Sequence, residues 1–261
     1  MTDLSDVAQA LYQARQTRTP IPPLTEALPD FDVGAAYQVQ SRFVDLLTEE
    51  GGRIVGYKLG LTSKPMQELL GVNEPDYGPV LSSMVFDDGV KVNLDDYIQP
   101  KVEAEIALKL AKPLQGPGVT PADVLESLGG AMAAIEIVDS RIEDWRIRLP
   151  DTIADLASSA AAVLGTRSVS VDFDLRLCGM VISRNGETVA TGAGAAALGD
   201  PVAAVAWLVN TLAPYGVALE ADHFVMTGSL HAAFEVDPGD HVEAEFDRLG
   251  TVSMSFEGGG R

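Results

Sequence analysis

The chain has 261 residues, 46% of them hydrophobic, which suffices for one sizeable core and is ordinary for a globular protein. A formal net charge of -20 argues against nucleic acid and anionic membrane as partners, since both require a basic footprint. The single Cys178 excludes an internal disulfide and fits a reducing cytoplasm; in its apolar stretch it reads as core. No run approaches the roughly 18 to 20 apolar residues of a membrane span, and Met1-Thr2-Asp3-Leu4-Ser5-Asp6 lacks the basic and apolar regions of a signal peptide.

Leu4, Val7, Ala8, Leu11 and Ala14 recur at helical spacing and predict an amphipathic helix over 4–15, stopped by Thr19-Pro20-Ile21-Pro22-Pro23. A second helix is expected from Asp32, with Ala36, Val39, Phe43 and Leu46 on one face and a cap at Gly51-Gly52. Residues 1–52 thus read as a helical cap on a catalytic, β-rich remainder, 53–261. Arg53 to Leu61 reads as a strand with glycines on both sides of Lys58, where another backbone or a ligand comes close. Ser63 caps an expected short helix closed by Gly71. Asn73 to Pro79 is dense in turn formers and is expected as a loop serving as lid or wall, with Asp76 and Tyr77 on it.

Gln99 to Leu108 reads as a strand on which Glu103 and Glu105 share one face while Val102, Ala104, Ile106 and Leu108 line the other. Either this is an edge strand with a solvated acidic face, or the acids are buried and need a cation, because adjacent carboxylates raise each other's cost of ionisation. Thr120-Pro121-Ala122-Asp123 opens a helix running to Gly129-Gly130, and Ala131 to Val138 follows as a strand carrying a third acid, Glu136. Together the three glutamates make an all-oxygen set suited to Mg2+ or Mn2+, whose open positions a substrate with adjacent carboxylate and keto oxygens can fill. Lys58 is the best candidate for proton transfer. Arg141 either binds a substrate carboxylate or neutralises Asp139. Ser158 and Ser159 either donate to an anion or serve close packing, and Trp145 reads as packing.

Leu175 to Ile182 reads as a buried strand, Asn185-Gly186 as a hairpin turn and Thr188 to Thr191 as the return strand. Gly192 to Ala197 lacks the third glycine and context of a dinucleotide loop. Asp200-Pro201 opens a helix with Val202, Val205, Ala206 and Val209 buried; Phe224 to Ser229 and two final strands follow, and Gly258 to Arg261 is expected as a disordered tail. His223, His231 and His241 show no zinc spacing and read as surface or turn residues. The pattern is a mixed, mainly antiparallel β core with peripheral helices, an α+β protein.

Gly56-Tyr57-Lys58-Leu59-Gly60-Leu61-Thr62-Ser63, Gln99 to Glu105, Ile135 to Arg141 and Asp151 to Asp155 resemble the 2-keto-4-pentenoate (2-hydroxypenta-2,4-dienoate) hydratases and the sister 4-oxalocrotonate decarboxylases of the fumarylacetoacetate hydrolase superfamily. The resemblance spans almost the whole chain. It implies a mixed β-sandwich roll with an N-terminal helical region, Mg2+ or Mn2+ on Glu103, Glu105 and Glu136, and catalysis by Lys58 with Asp76 orienting water. It further implies Leu61, Arg141, Ser158, Ser159 and Thr227 in substrate binding, a homo-oligomer built from pentamers, and association with a partner pathway enzyme. Pro75-Asp76-Tyr77-Gly78 and Asp144-Trp145-Arg146-Ile147 resemble the hydratases, whose substrate is a 2-oxo or 2-hydroxy dienoic acid; decarboxylation, acylpyruvate hydrolysis and a non-catalytic subunit are the rivals. One departure is Leu156, where the family usually has Asn.

Overall fold

The structure is a computed structural model and describes residues 3–64, 67–68 and 71–259. The expected helix over 63–71 and the expected tail at 258–261 lie partly outside these residues. Helix α1 spans Leu4–Thr17, its Asp3 side chain accepting from Ser5 N; α2 is the single turn Leu24–Ala27; α3 spans Val33–Glu49 from an Asp32 cap. Their apolar faces cover one side of an eight-stranded sheet, so that Leu11, Phe43 and Val39 share a cluster with Leu81, Met84, Ala107 and Met226. Apolar spacing dictates this docking, because helices this short gain most of their stability from burying one face.

That sheet runs β2(Asp76–Leu81), β1(Ile54–Gly60), β10(Phe224–Ser229), β5(Lys101–Leu110), β6(Leu128–Val138), β7(Ser159–Leu164) and β3(Val85–Asp87), with β11(Phe234–Glu235) also paired to β5. A second sheet of five strands has the order β4(Val90–Asn93), β13(Gly250–Glu257), β12(His241–Phe246), β8(Gly179–Arg184), β9(Glu187–Ala193). The β1/β10, β3/β7 and β4/β13 pairs are parallel and the others antiparallel, which matches the expected mixed, mainly antiparallel α+β architecture. The two sheets enclose the larger core, where Val102, Ala104, Ile106 and Ile135 meet Ile182, Val242 and Met254. The β5 strand is central and not an edge.

Helix α4, Pro121–Ser127, carries the expected capping box between Thr120 and Asp123. Helix α5 spans Leu149–Ala154 and α6 spans Pro201–Leu212, started by Asp200 and Pro201. Three expectations change. The segment expected as a loop at 73–79 becomes strand β2 from Asp76 on, wholly buried, because β1 pairs with it antiparallel and Tyr37 stacks on Tyr77 at 4.7 Å between ring centroids. The expected strand over 175–182 begins only at Gly179; Leu175–Leu177 is a 3-10 turn fixed by the Asp174 side chain accepting from Arg176 N, which leaves Leu177 76% exposed. Finally, Gly194–Tyr215 does reach the length and hydropathy of a membrane span, but half of it is buried in the core, and Val205, Leu208, Val209 and Leu212 of α6 belong to the inter-sheet cluster.

Glycine brings β1 against its neighbours. A Cβ on Gly56 would lie 2.4 Å from the Phe224 carbonyl oxygen of β10. Gly56→Ala is therefore expected to force the β1/β10 pair apart and lower stability by about 1–3 kcal/mol, the usual cost of overpacking, read as a lower denaturation midpoint at unchanged m-value.

Candidate functional site

The register of β5 against β6 sets the site. Glu103 lies directly opposite Glu136, and side chains of i and i+2 share a face, so Glu103, Glu105 and Glu136 all project from the same side of the sheet. Their nearest oxygens fall within 4.8 Å of one another. Glu105 and Glu136 are fully buried, whereas Glu103 lines a cavity of about 320 Å3 together with Lys58, Leu61, Asp76, Trp145, Ser158 and His231. Gly228 N donates to Glu105 Oε2 at 2.8 Å and Glu136 Oε2 faces the Lys58 ammonium, but Glu105 Oε1 and Glu136 Oε1 are buried without a hydrogen-bond partner. Buried carboxylate oxygens without donors are costly, and an all-oxygen set of this kind suits a hard cation.

Lys58 reaches this cluster from β1, its Nζ 3.3 Å from Glu136 Oε2 and donating to the Ala157 carbonyl at 2.9 Å. Burial pushes its pKa down, but Glu136, Asp76, Glu103 and Glu105 outweigh that and hold it above the ordinary lysine value. The acids move the other way. Burial pushes Glu103 up to about 7, Lys58 opposing and Glu136 adding to the rise. Burial also raises Glu105 and Glu136, and it raises Asp76 against the pull of Lys58.

Asp76 sits at the start of β2 opposite Gly60, where a Cβ would stand 2.1 Å from Asp76 Oδ1; the Thr152 hydroxyl donates to Oδ2 at 3.4 Å and lies 3.2 Å from Ser158 Oγ. Ser158 lines the cavity, while Ser159 opens β7 with its side chain lowering the Glu136 pKa. Leu61, with φ 55, lines the cavity and its carbonyl accepts from Gln67 Nε2. Trp145 is a cavity wall as well as packing: its Nε1 donates to the Gln99 carbonyl and Lys101 Nζ stands 4.9 Å from its ring centroid.

Of the residues expected in substrate binding, Ser159, Thr227 and Arg141 do not line the cavity. Thr227 is fully buried, its hydroxyl donating to the Ile106 carbonyl at 3.0 Å. Arg141 is buried too, and it pairs with neither a cavity group nor Asp139. Its Nε bonds Asp155 Oδ1, its Nη2 donates to the Asp155 carbonyl at 2.6 Å and its Nη1 to the Ser159 carbonyl at 3.2 Å. Asp139 instead accepts from Ile98 N and Gln99 N. Arg141 thus ties down the turn that follows Asp155, in which Leu156, Ala157 and Ser158 are successively left-handed, with φ 58, 52 and 56. His231, expected as a surface or turn residue, stands in the bend between β10 and β11 and is also a cavity wall whose Nε2 accepts from Ala104 N at 2.8 Å. Burial lowers its pKa. A histidine near an aromatic in a strand connection carries no local signal for such a bond.

This geometry predicts how Arg141→Ala behaves. Leaving Asp155 buried without its partner is expected to cost about 3–5 kcal/mol of stability, whereas an arginine that only bound substrate would raise KM at unchanged stability; denaturant unfolding and steady-state kinetics separate the two.

Residues 72–256 match the profile of the fumarylacetoacetate (FAA) hydrolase C-terminal family. The chain is 44% identical to a 2-keto-4-pentenoate hydratase of Paraburkholderia xenovorans (strain LB400) over 97% of this chain and 94% of that protein. It is 40% identical to a 2-hydroxyhexa-2,4-dienoate hydratase of Comamonas testosteroni over 95% of each. Among solved structures, a 4-oxalocrotonate decarboxylase from Pseudomonas putida G7, complexed with magnesium and adipate, superposes with a TM-score of 0.95 at 36% identity over 98% of each chain. The carboxylate-bearing sandwich therefore belongs to the 2-keto-4-pentenoate hydratase and 4-oxalocrotonate decarboxylase family, enzymes of the fumarylacetoacetate hydrolase superfamily.

Proposed function

We propose that the protein is a cation-dependent hydro-lyase that adds water to 2-hydroxypenta-2,4-dienoate or a substituted analogue, giving a 4-hydroxy-2-oxo acid. The observation that carries this reading is the set Glu103, Glu105 and Glu136 within 4.8 Å, two of its oxygens buried without a donor or an ammonium beside them, with Glu103 opening onto a cavity that Lys58 and Asp76 also line. Full-length similarity to proteins named hydratases supports the choice of reaction. The all-oxygen donors fit Mg2+ or Mn2+. An ion held by Glu103, Glu105 and Glu136 would supply a Lewis acid that stabilises negative charge developing on a bound 2-oxo acid.

The chain's own residues do the rest. Lys58 Nζ, charged and within reach of both Glu136 and the cavity, moves a proton to C5 as the dienol becomes the ketone. Asp76, its carboxyl raised by burial and steadied by Thr152, holds the water whose oxygen adds at C4 while its proton is passed on to C3. Ser158 and Leu61 border the substrate, and Trp145 closes the wall with Lys101 beside it. Residues 1–52 act as a cap over the catalytic remainder. We place the enzyme in the cytoplasm as a homo-oligomer.

Decarboxylation of 4-oxalocrotonate is the second reading, favoured by the 0.95 TM-score to the decarboxylase and by Lys101 as a second cavity cation able to meet a distal carboxylate. Incubating the protein and Mg2+ with each substrate, with products identified by mass, separates the two; hydration gives the 4-hydroxy-2-oxo acid and no carbon dioxide. Lys58→Met is expected to lower kcat about 10²–10⁴-fold, the usual worth of a positioned proton-transfer group, and wild-type turnover in that variant would remove Lys58 from the mechanism.

Cation binding is also expected to depend on pH. The folded protein holds protons on acids whose pKa burial has raised, Glu103 to about 7, and a cation must displace them. Apparent Mn2+ affinity should therefore fall as pH drops through about 7, by up to about tenfold per pH unit for each proton displaced, and calorimetry in buffers of different ionisation enthalpy should show proton release.

A further inference from the structure

We infer that His231 is a positioning residue for the carboxylate strand: its imidazole replaces a missing strand partner at Ala104 and so fixes the spacing of Glu103 and Glu105. The inference rests on the reading of those glutamates as cation ligands. On its β10 side, β5 pairs in register through Met226 opposite Ala107 and, past a bulge at 227–228, once more at Ser229 opposite Glu105; pairing resumes only with Phe234 of β11 opposite Val102. Between these points the chain swings out, and His231, Ala232 and Ala233 form cavity wall instead of ladder.

The peptide of Ala104, fully buried between the two acids, would lose its partners in that gap. Two neighbours on the swung-out segment restore them. Leu230 N donates to the Ala104 carbonyl at 3.0 Å, and Ala104 N donates to His231 Nε2 at 2.8 Å. His231 Nδ1 lies 2.7 Å from the Ala232 carbonyl, which assigns the ring hydrogen to Nδ1 and leaves Nε2 as the acceptor. The Ser229 hydroxyl donates to the His231 carbonyl at 2.6 Å and closes the turn. Both ring nitrogens are thus spent on backbone, so the ring serves the acids through Ala104 and is no ligand itself. A tilt of the Ala104 peptide would move Glu103 and Glu105 together, because they flank it on the same face.

Reach tests this better than truncation. In His231→Gln the carboxamide oxygen extends to the position of Nε2 and can accept from Ala104 N; in His231→Asn the same group falls short. Mn2+ affinity of the metal-free protein, measured by calorimetry without substrate, is expected to weaken about 10–100-fold in H231N, the range typical of lost outer partners of a metal site, and to stay within a few-fold of wild type in H231Q. Amide exchange at Ala104 should accelerate in H231N and remain protected in H231Q. Equal Mn2+ affinity and equal Ala104 protection in H231N and wild type would overturn the inference, as would an H231Q variant as impaired as H231N. Wild-type protein that takes up no Mn2+ would sink the cation reading instead, and exchange at Ala104 then decides by itself whether His231 holds the strand.

Discussion

The structure depends on the burial of more negative charge than the buried Lys58 can balance. Glu105, Glu136 and Asp76 are removed from water, Glu103 borders the cavity, and Lys58 faces all of them from β1. A charge pair at about 4 Å is worth about 4 kcal/mol at the effective dielectric of a protein, while each buried ion loses several kcal/mol of hydration. Lys58 can offset one carboxylate and part of another. The remainder is carried by raised pKa values, which favour the protonated acids. Stability and function are therefore coupled at one place, since whatever binds the cluster also relieves the fold.

The sandwich tolerates this because the strands around the cluster are built for close approach. Gly60 leaves room for Asp76, and Gly78 has the Leu156 carbonyl where a Cβ would stand, 2.2 Å away. At Gly228, with φ 116, the β10 chain bulges and turns its amide onto Glu105. The β10 irregularity and the swing at 230–233 lie on the same side of β5, so departures from regular pairing accumulate where the acids need donors and cavity. Regular pairing continues on the other side, from Lys101 opposite Val138 to Lys109 opposite Gly130, and gives the cluster a rigid base.

What the sequence made legible was what local periodicity encodes. Alternation along Gln99 to Leu108 put Glu103 and Glu105 on one face, and the β5/β6 register brought Glu136 to them. Glycines beside Lys58 announced close approach, met at Gly56 by Phe224 and at Gly60 by Asp76. Long-range partners were not legible. Arg141 offered Asp139 as its nearest acid, yet the backbone amides of Ile98 and Gln99 claim Asp139, and Arg141 turns to Asp155 across the 155–159 turn. His231 is read correctly only when the gap between β10 and β11 is known. Turn formers around Asp76 outweighed, on paper, the pairing with β1 that makes the segment a strand.

The turn after Asp155 shows how such conflicts are resolved. Three consecutive non-glycine residues in the left-handed region cost about 1–3 kcal/mol each, and a β-carbon is least welcome there on large side chains. Asparagine, usual at the position of Leu156 in the resembling family, adopts that conformation more cheaply. Here Leu156 is fully buried and joins the cluster of Ile153, Ala154 and Phe43 beneath the helical layer. Burying a leucine contributes about 1.5–3 kcal/mol, comparable with the backbone cost at that one residue, so packing against the helices replaces what asparagine would supply through conformation. The turn is then held from both ends, by Arg141 on Asp155 and by Lys58 on the Ala157 carbonyl. That second bond makes the lysine's position a property of the turn: Lys58 stands where a strained backbone, anchored by a buried ion pair, offers it a carbonyl beside Glu136.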